Sequence, residues 1–158
     1  MRCPKIGLLP MYVELYDRSN PEVRPAINAA HAYAVKRLQE TGLDVITSDV
    51  CRLAEEFETA IKFFESENVD AIVTLHLAYA PSLESEKALA ATELPIIILD
   101  TTPDFSYDQF TDSAALMLNH GIHGVQDMCN LLIRNGKTFT VCAGHMDHSN
   151  VLQKVANA

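Results

Sequence analysis

The four cysteines, Cys3, Cys51, Cys129 and Cys142, form no C-x-x-C pair. That spacing excludes zinc ribbons and dithiol redox centres. The thiols read instead as small buried hydrophobes in a reducing, cytoplasmic compartment. Lys and Arg are scattered singly and the net charge is −9, so no basic stripe exists to follow a nucleic-acid backbone. No apolar run approaches the roughly 20 residues needed to span a bilayer, and no membrane partner is expected. The start, "MRCPKIGLLPMY", has too short an apolar part for a signal peptide. G-x-G-x-x-G and G-x-x-x-x-G-K-[ST] are missing, so nucleotide phosphates have no cradle. There is no G-x-S-x-G elbow and no H-E-x-x-H.

What the sequence does contain is a clean alternation of elements. Apolar strands are expected over Lys5–Leu9, Leu43–Ser48, Asp70–His76, Leu94–Asp100 and Thr138–Gly144. Between them, helical patterns run from Asn20-Pro21 to about Glu40, from about Val50 to Ser66 and through "APSLESEKALAAT". A long helix follows over "LNHGIHGVQDMCNLL", Leu118–Leu132, after the loop "TTPDFSYDQF". Alternating strands and helices, with strands apolar throughout, predict a parallel sheet covered on both faces. The expected fold is α/β, a flavodoxin-like doubly wound five-stranded parallel sheet over residues 1–144. Residues 145–158 read as a terminal helix or as the start of a second domain.

Ligands of such sheets gather at the carboxyl ends of the strands. Those ends carry Pro10-Met11-Tyr12, Ser48-Asp49, His76, Asp100-Thr101-Thr102 and Gly144-His145. A response regulator needs carboxylates after the first strand and an Asp after the third, where this chain has Pro10-Met11 and His76. An FMN loop would be rich in Ser, Thr and Gly after the first strand, and "PMYVELYD" is not. Cys142 ends a strand and is a candidate racemase-type nucleophile, but it lacks a cysteine partner at the matching place in the first half.

The Leu118–Leu132 segment spends stability. Each mid-helix glycine costs roughly 1 kcal/mol relative to alanine, and this segment carries Gly121 and Gly124. At about 100° per residue, Leu118, Ile122, Val125, Cys129 and Leu132 share a sheet-facing stripe. His120, His123 and Asp127 face the other way, with Asn119 at the margin. Met117, Gly121, Gly124 and Met128 form a third flank, a low seam expected to admit a neighbouring backbone. His120/His123 and His145/His148 are each spaced i, i+3, which is not the usual helical zinc spacing, and no metal is expected on this chain alone. Neutral imidazoles both donate and accept hydrogen bonds, which suits the hydroxyls of a polyol.

Four segments, in order, carry a resemblance. "LPMYVELYD", "VTLHLAYAPS", "MLNHGIHGVQD" and "VCAGHMDHSNVLQKV" resemble segments in the first domain of the L-fucose and L-arabinose isomerases, which are metal-dependent aldose–ketose isomerases. The matching residues include Leu15, Tyr16, His76, Pro81, Asn119, His123, Gly124, Gly144 and His145. Met146 stands where the arabinose enzymes have Trp. The resemblance implies a substrate-capping and oligomerisation domain, inactive alone, with the manganese and the acid–base groups supplied by other domains of a longer polypeptide. It implies sugar contacts from His123, His120, Asn119, Tyr12, Tyr16 and His76, no catalytic residue here, and a homo-oligomer, trimer or hexamer, that shares the sugar with a neighbouring subunit. The other reading is a stand-alone flavodoxin-like module for small-molecule binding or assembly.

Overall fold

The structure, a computed structural model, describes residues 2–112 and 115–158. Five strands form one sheet: β1 (Lys5–Met11), β2 (Asp44–Thr47), β3 (Ala71–His76), β4 (Ile96–Asp100) and β5 (Thr140–Ala143). Their spatial order is β2-β1-β3-β4-β5, and every pairing is parallel. This is the flavodoxin-like doubly wound order, whose switch point lies between β1 and β3.

Two core clusters show that helices cover both faces. On one face Ile6, Leu8, Val73, Leu75 and Leu99 pack with Ile27, Ala34 and Leu38 of α2 (Arg24–Gln39) and with Val151, Leu152 and Val155 of α7 (Val151–Asn157). On the other, Leu9, Ile72, Ile96 and Ile98 pack with three further helices. These are α3 (Ala54–Ser66), α4 (Ser82–Ala91) and α6 (Gly121–Arg134). Alternate residues of each central strand serve opposite faces, so these strands are apolar without a break. β5 departs from that expectation: as an edge strand it buries Cys142 and leaves Thr140, Val141 and Ala143 exposed.

Several element boundaries depart from the expected ones. "ELYDRS", for which no element is expected, is a short helix, α1 (Glu14–Ser19). Asp17 fastens it, accepting from Arg24 Nη1 at 3.1 Å and from Arg52 Nη1 at 2.6 Å. Burial pushes the Asp17 carboxyl up, but the two arginine hydrogen bonds outweigh burial and hold it below the usual carboxylate range. α3 starts at Ala54, not at Val50. Cys51 instead runs parallel to Met11, with Cys51 N–H donating to Pro10 O at 2.9 Å and Tyr12 N–H to Cys51 O at 3.1 Å. Val50 and Cys51 are thus buried by extending the sheet, and the helix is capped by Glu56, whose carboxylate accepts from the Leu53 N–H at 3.2 Å.

The largest departure is in Leu118–Leu132. It is not one helix. α5 (Ala115–Asn119) ends, His120 takes φ −100° and ψ 28°, and α6 begins at Gly121. The cause is local competition for carbonyls. Asn119 Nδ2 donates to Ala115 O at 2.8 Å, and His120 Nδ1 donates to Leu116 O at 2.9 Å. The buried face of α6 consists of Gly121, Gly124, Val125, Met128 and Leu132. Leu118 belongs to the opposite core cluster. The glycine seam is filled by this chain itself. A Cβ on Gly124 would stand 2.7 Å from His76 Cδ2 and 2.8 Å from Ala80 O, and one on Gly121 would stand 3.0 Å from His76 Cβ. The seam expected to receive a neighbouring backbone therefore receives the end of β3 and the loop after it.

Candidate functional site

The carboxyl edge at the β1/β3 switch point brings together side chains from three distant segments. α1 contributes Tyr16, the loop after β3 contributes Tyr79, and the break before α6 contributes His120, with His123 one turn on. Tyr16 Oη lies 3.2 Å from His120 Nε2. Because His120 Nδ1–H donates to Leu116 O, the neutral ring's Nε2 is the acceptor and the phenol is the donor. Burial, and then the neighbouring Tyr79, pushes the Tyr16 phenol up, which keeps that proton in place at neutral pH. Tyr79 lies parallel to His120, with ring planes 4° apart and centroids at 6.1 Å. The His120 and His123 rings are 5.8 Å apart.

His123 is exposed, and its Nδ1 donates to His120 O at 3.2 Å. That bond leaves Nε2 of the neutral ring turned into an acceptor for an incoming hydroxyl. The cluster thus combines an imidazole acceptor with aromatic ring surface. Such a combination suits a molecule that has hydroxyls on its rim and C–H groups on its faces.

The other expected contacts lie elsewhere. His76 is 5% exposed and its ring sits under α6 against Gly124. Burial pushes its imidazole down to about 4, so the ring is neutral, and neither nitrogen has a partner within ordinary hydrogen-bond geometry. Its part is to shape α6, not to reach a ligand directly. Tyr12 is fully buried, edge-on to Tyr16 with centroids at 5.9 Å, beneath the Arg24 guanidinium. Burial first, then Asp17, pushes its phenol up to about 12. Tyr12 supports Tyr16 from within the core. Asn119 is also buried and its amide is occupied. Its Oδ1 accepts from Asp104 N–H at 2.9 Å, and its Nδ2 donates to Asp104 Oδ2 at 2.7 Å as well as to Ala115 O. It pins the β4–α5 loop to the helix.

Tyr79 was not among the expected contacts. Its signal in the sequence is an aromatic residue three positions beyond a strand-ending histidine, in "LHLAYAP". Cys142 is buried and burial pushes its thiol up, which disfavours the thiolate a racemase needs. Cys3 is exposed rather than buried. A second ring cluster, Phe105, His145 and His148, lies toward β5, with Phe105 and His148 centroids at 4.2 Å.

The implied manganese does not fit the residues present. Among the described residues no three His, Cys, Asp or Glu side chains converge to hold a metal ion. Both His120 nitrogens and His123 Nδ1 are already engaged.

The fold and edge define an open, doubly wound α/β domain with a tyrosine–histidine cluster at its switch point. No family model and no curated protein matches the sequence. Among solved structures, the Lac repressor bound to ONPG in its repressed state is similar at 13% identity with a TM-score of 0.39. The match covers 89% of this chain and 48% of that one, so the chain spans about half its length. A likeness at that level adds nothing to the assignment, which rests on the strand order. Among the described residues no helix is long and apolar enough to cross a membrane.

Proposed function

We propose that these 158 residues form the sugar-facing N-terminal domain of a metal-dependent aldose–ketose isomerase of the L-fucose/L-arabinose type. His123 Nε2 holds a substrate hydroxyl, the Tyr79 and His120 rings face the sugar, and Tyr16 fixes His120 in place. The divalent metal and the proton-transferring groups come from outside this stretch, and a neighbouring subunit in a homo-oligomer shares the sugar. The observation that supports the reading is the convergence at one edge. Three of the four segments that resemble the isomerases contribute to a single contact cluster, although Tyr16 and His120 are 104 positions apart in sequence. Aldose–ketose interconversion moves a proton between adjacent carbons while the substrate is held in register, and a positioning surface contributes through orientation. This chain's part is that surface.

Calorimetric titration of the chain with L-fucose and with L-arabinose tests the proposal. Weak binding, on the order of millimolar, is expected, with His123→Ala reducing affinity several-fold. Ketose formed by this chain with manganese, or unchanged affinity in the variant, contradicts it. A stand-alone small-molecule-binding module is the second reading. An apolar cavity lined by Ile27, Leu75, Leu77, Leu118 and Met146 favours it, and the absence of any sugar affinity would select it.

A further inference from the structure

A concavity opens at the carboxyl ends of β3 and β4, on the α2 side of the sheet. It has a volume of about 450 Å³ and is lined by Ile27 and Ala30 of α2, Leu75 and Leu77 at the end of β3, and Leu118 and Met146. That is within the range of small-molecule sites, about 300–1,000 Å³. It is largely apolar, but Thr101 also lines it, and the Thr101 hydroxyl is shielded from solvent with no partner among the described residues. Buried hydroxyls are nearly always paired, so an orphan just beneath the cavity wall gains a partner when a turn about Thr101 χ1 brings it to a ligand atom.

The charges around the cavity narrow the ligand. No Lys or Arg lines it, so a carboxylate or phosphate would lack a counter-charge. Asp147 lines it, but its carboxylate already accepts from Tyr33 Oη at 2.6 Å and pairs with Arg37 Nε at 3.0 Å. His145 is occupied as well, with Nε2 donating to Pro103 O at 3.3 Å and Nδ1 accepting from Asp147 N–H at 3.1 Å. His76 turns its ring away, toward Gly124. One orphan hydroxyl in an apolar wall also disfavours a sugar, since each additional buried hydroxyl would go unpaired.

We propose that this cavity binds a neutral, mainly apolar small molecule carrying one hydroxyl, an aryl or aliphatic alcohol, with that hydroxyl paired to Thr101. The site uses none of the residues assigned to the sugar, so it stands or falls separately from the isomerase reading.

The test is titration of the chain with 2-phenylethanol and with its near-isosteric hydrocarbon propylbenzene, followed by nuclear magnetic resonance. Saturable binding of 2-phenylethanol is expected, at least fivefold tighter than that of propylbenzene. Thr101→Val should weaken 2-phenylethanol about tenfold, the equivalent of one lost hydrogen bond, and change propylbenzene less than twofold. Ala30→Phe, or Ala26→Phe at the rim should the first variant lose its cooperative melting, should abolish both, whereas L-fucose should displace neither. The proposal is overturned by any of four results: no saturable binding of 2-phenylethanol up to its solubility limit, equal affinity for the hydrocarbon, an unchanged Kd in Thr101→Val, or binding that survives the folded blocking variant.

Discussion

Replacing Gly124 by alanine pits two effects of opposite sign against each other. In an exposed helix interior the change stabilises by about 1 kcal/mol, because alanine is the better helix former. Here the added methyl would stand 2.7 Å from His76 Cδ2, 2.8 Å from Ala80 O and 3.0 Å from His76 Nε2. Carbon atoms prefer separations of about 3.5–4.0 Å. Neither neighbour yields easily, because the His76 ring is buried and the Ala80 oxygen belongs to the backbone. Overpacking of this kind costs about 1–3 kcal/mol. Subtracting the helix-propensity gain leaves a net change between about zero and a loss of about 2 kcal/mol. Urea unfolding followed by circular dichroism measures it through the midpoint at constant slope. A glycine seam facing solvent or a distant partner predicts the opposite sign. Stabilisation of Gly124→Ala by about 1 kcal/mol would therefore refute the intramolecular packing of α6 on the end of β3.

Acid should act through His76. Its folded imidazole lies at about 4 against an ordinary value of 6.5, so the unfolded chain binds the extra proton between those values and stability falls as pH drops through that window. The loss approaches about 3 kcal/mol near pH 4, and a urea series on wild type and His76→Leu should show the difference flattening in the variant. Asp17 behaves as a lowered carboxylate: Asp17→Asn should cost about 1 kcal/mol at pH 7, and the gap to wild type should close below the ordinary carboxylate range, as read from the same unfolding curves. Asn119→Ala removes the brace on Asp104 and should lower stability by about 1–3 kcal/mol, with faster amide exchange in the loop from Thr101 to Asp112. Tyr16→Phe deletes the donor to His120 Nε2 and should loosen the His120 ring, seen as broader imidazole resonances, with a stability loss of about 1 kcal/mol.

The sheet was readable because its central strands are buried on both faces, so "DAIVTLH" and "LPIIILD" stand out as unbroken apolar runs. The order β2-β1-β3-β4-β5 was legible only through the flavodoxin-like class, since alternation by itself sets parallel pairing and not which strands are neighbours. The start of α3 was harder, because Val50 continues the apolar spacing of the helix while the backbone at Cys51 is bonded to Pro10 and Met11 is its register partner. The orientation of α6 was misread for a physical reason. A stripe found by hydrophobicity passes over glycines, and here Gly121 and Gly124 are the residues in closest contact with the sheet end. The break at His120 depends on side chains capturing carbonyls four residues back, which no apolar period registers. At the site, Tyr16, His120 and His123 were legible as polar or aromatic residues at strand ends or on the outer helix face. His76, Tyr12 and Asn119 share those residue types but lie inside, and only their neighbours reveal it.

Sugar binding at the Tyr16–Tyr79–His120–His123 edge is the core of the proposed function. Its most direct measurement is site-resolved nuclear magnetic resonance of the histidine imidazoles and tyrosine rings during titration with L-fucose or L-arabinose. Saturable shifts are expected at His123, His120 and Tyr79, with His76 much less affected and His148 unmoved. A saturating titration that shifts none of those three, or that moves His145 and His148 instead, would contradict it.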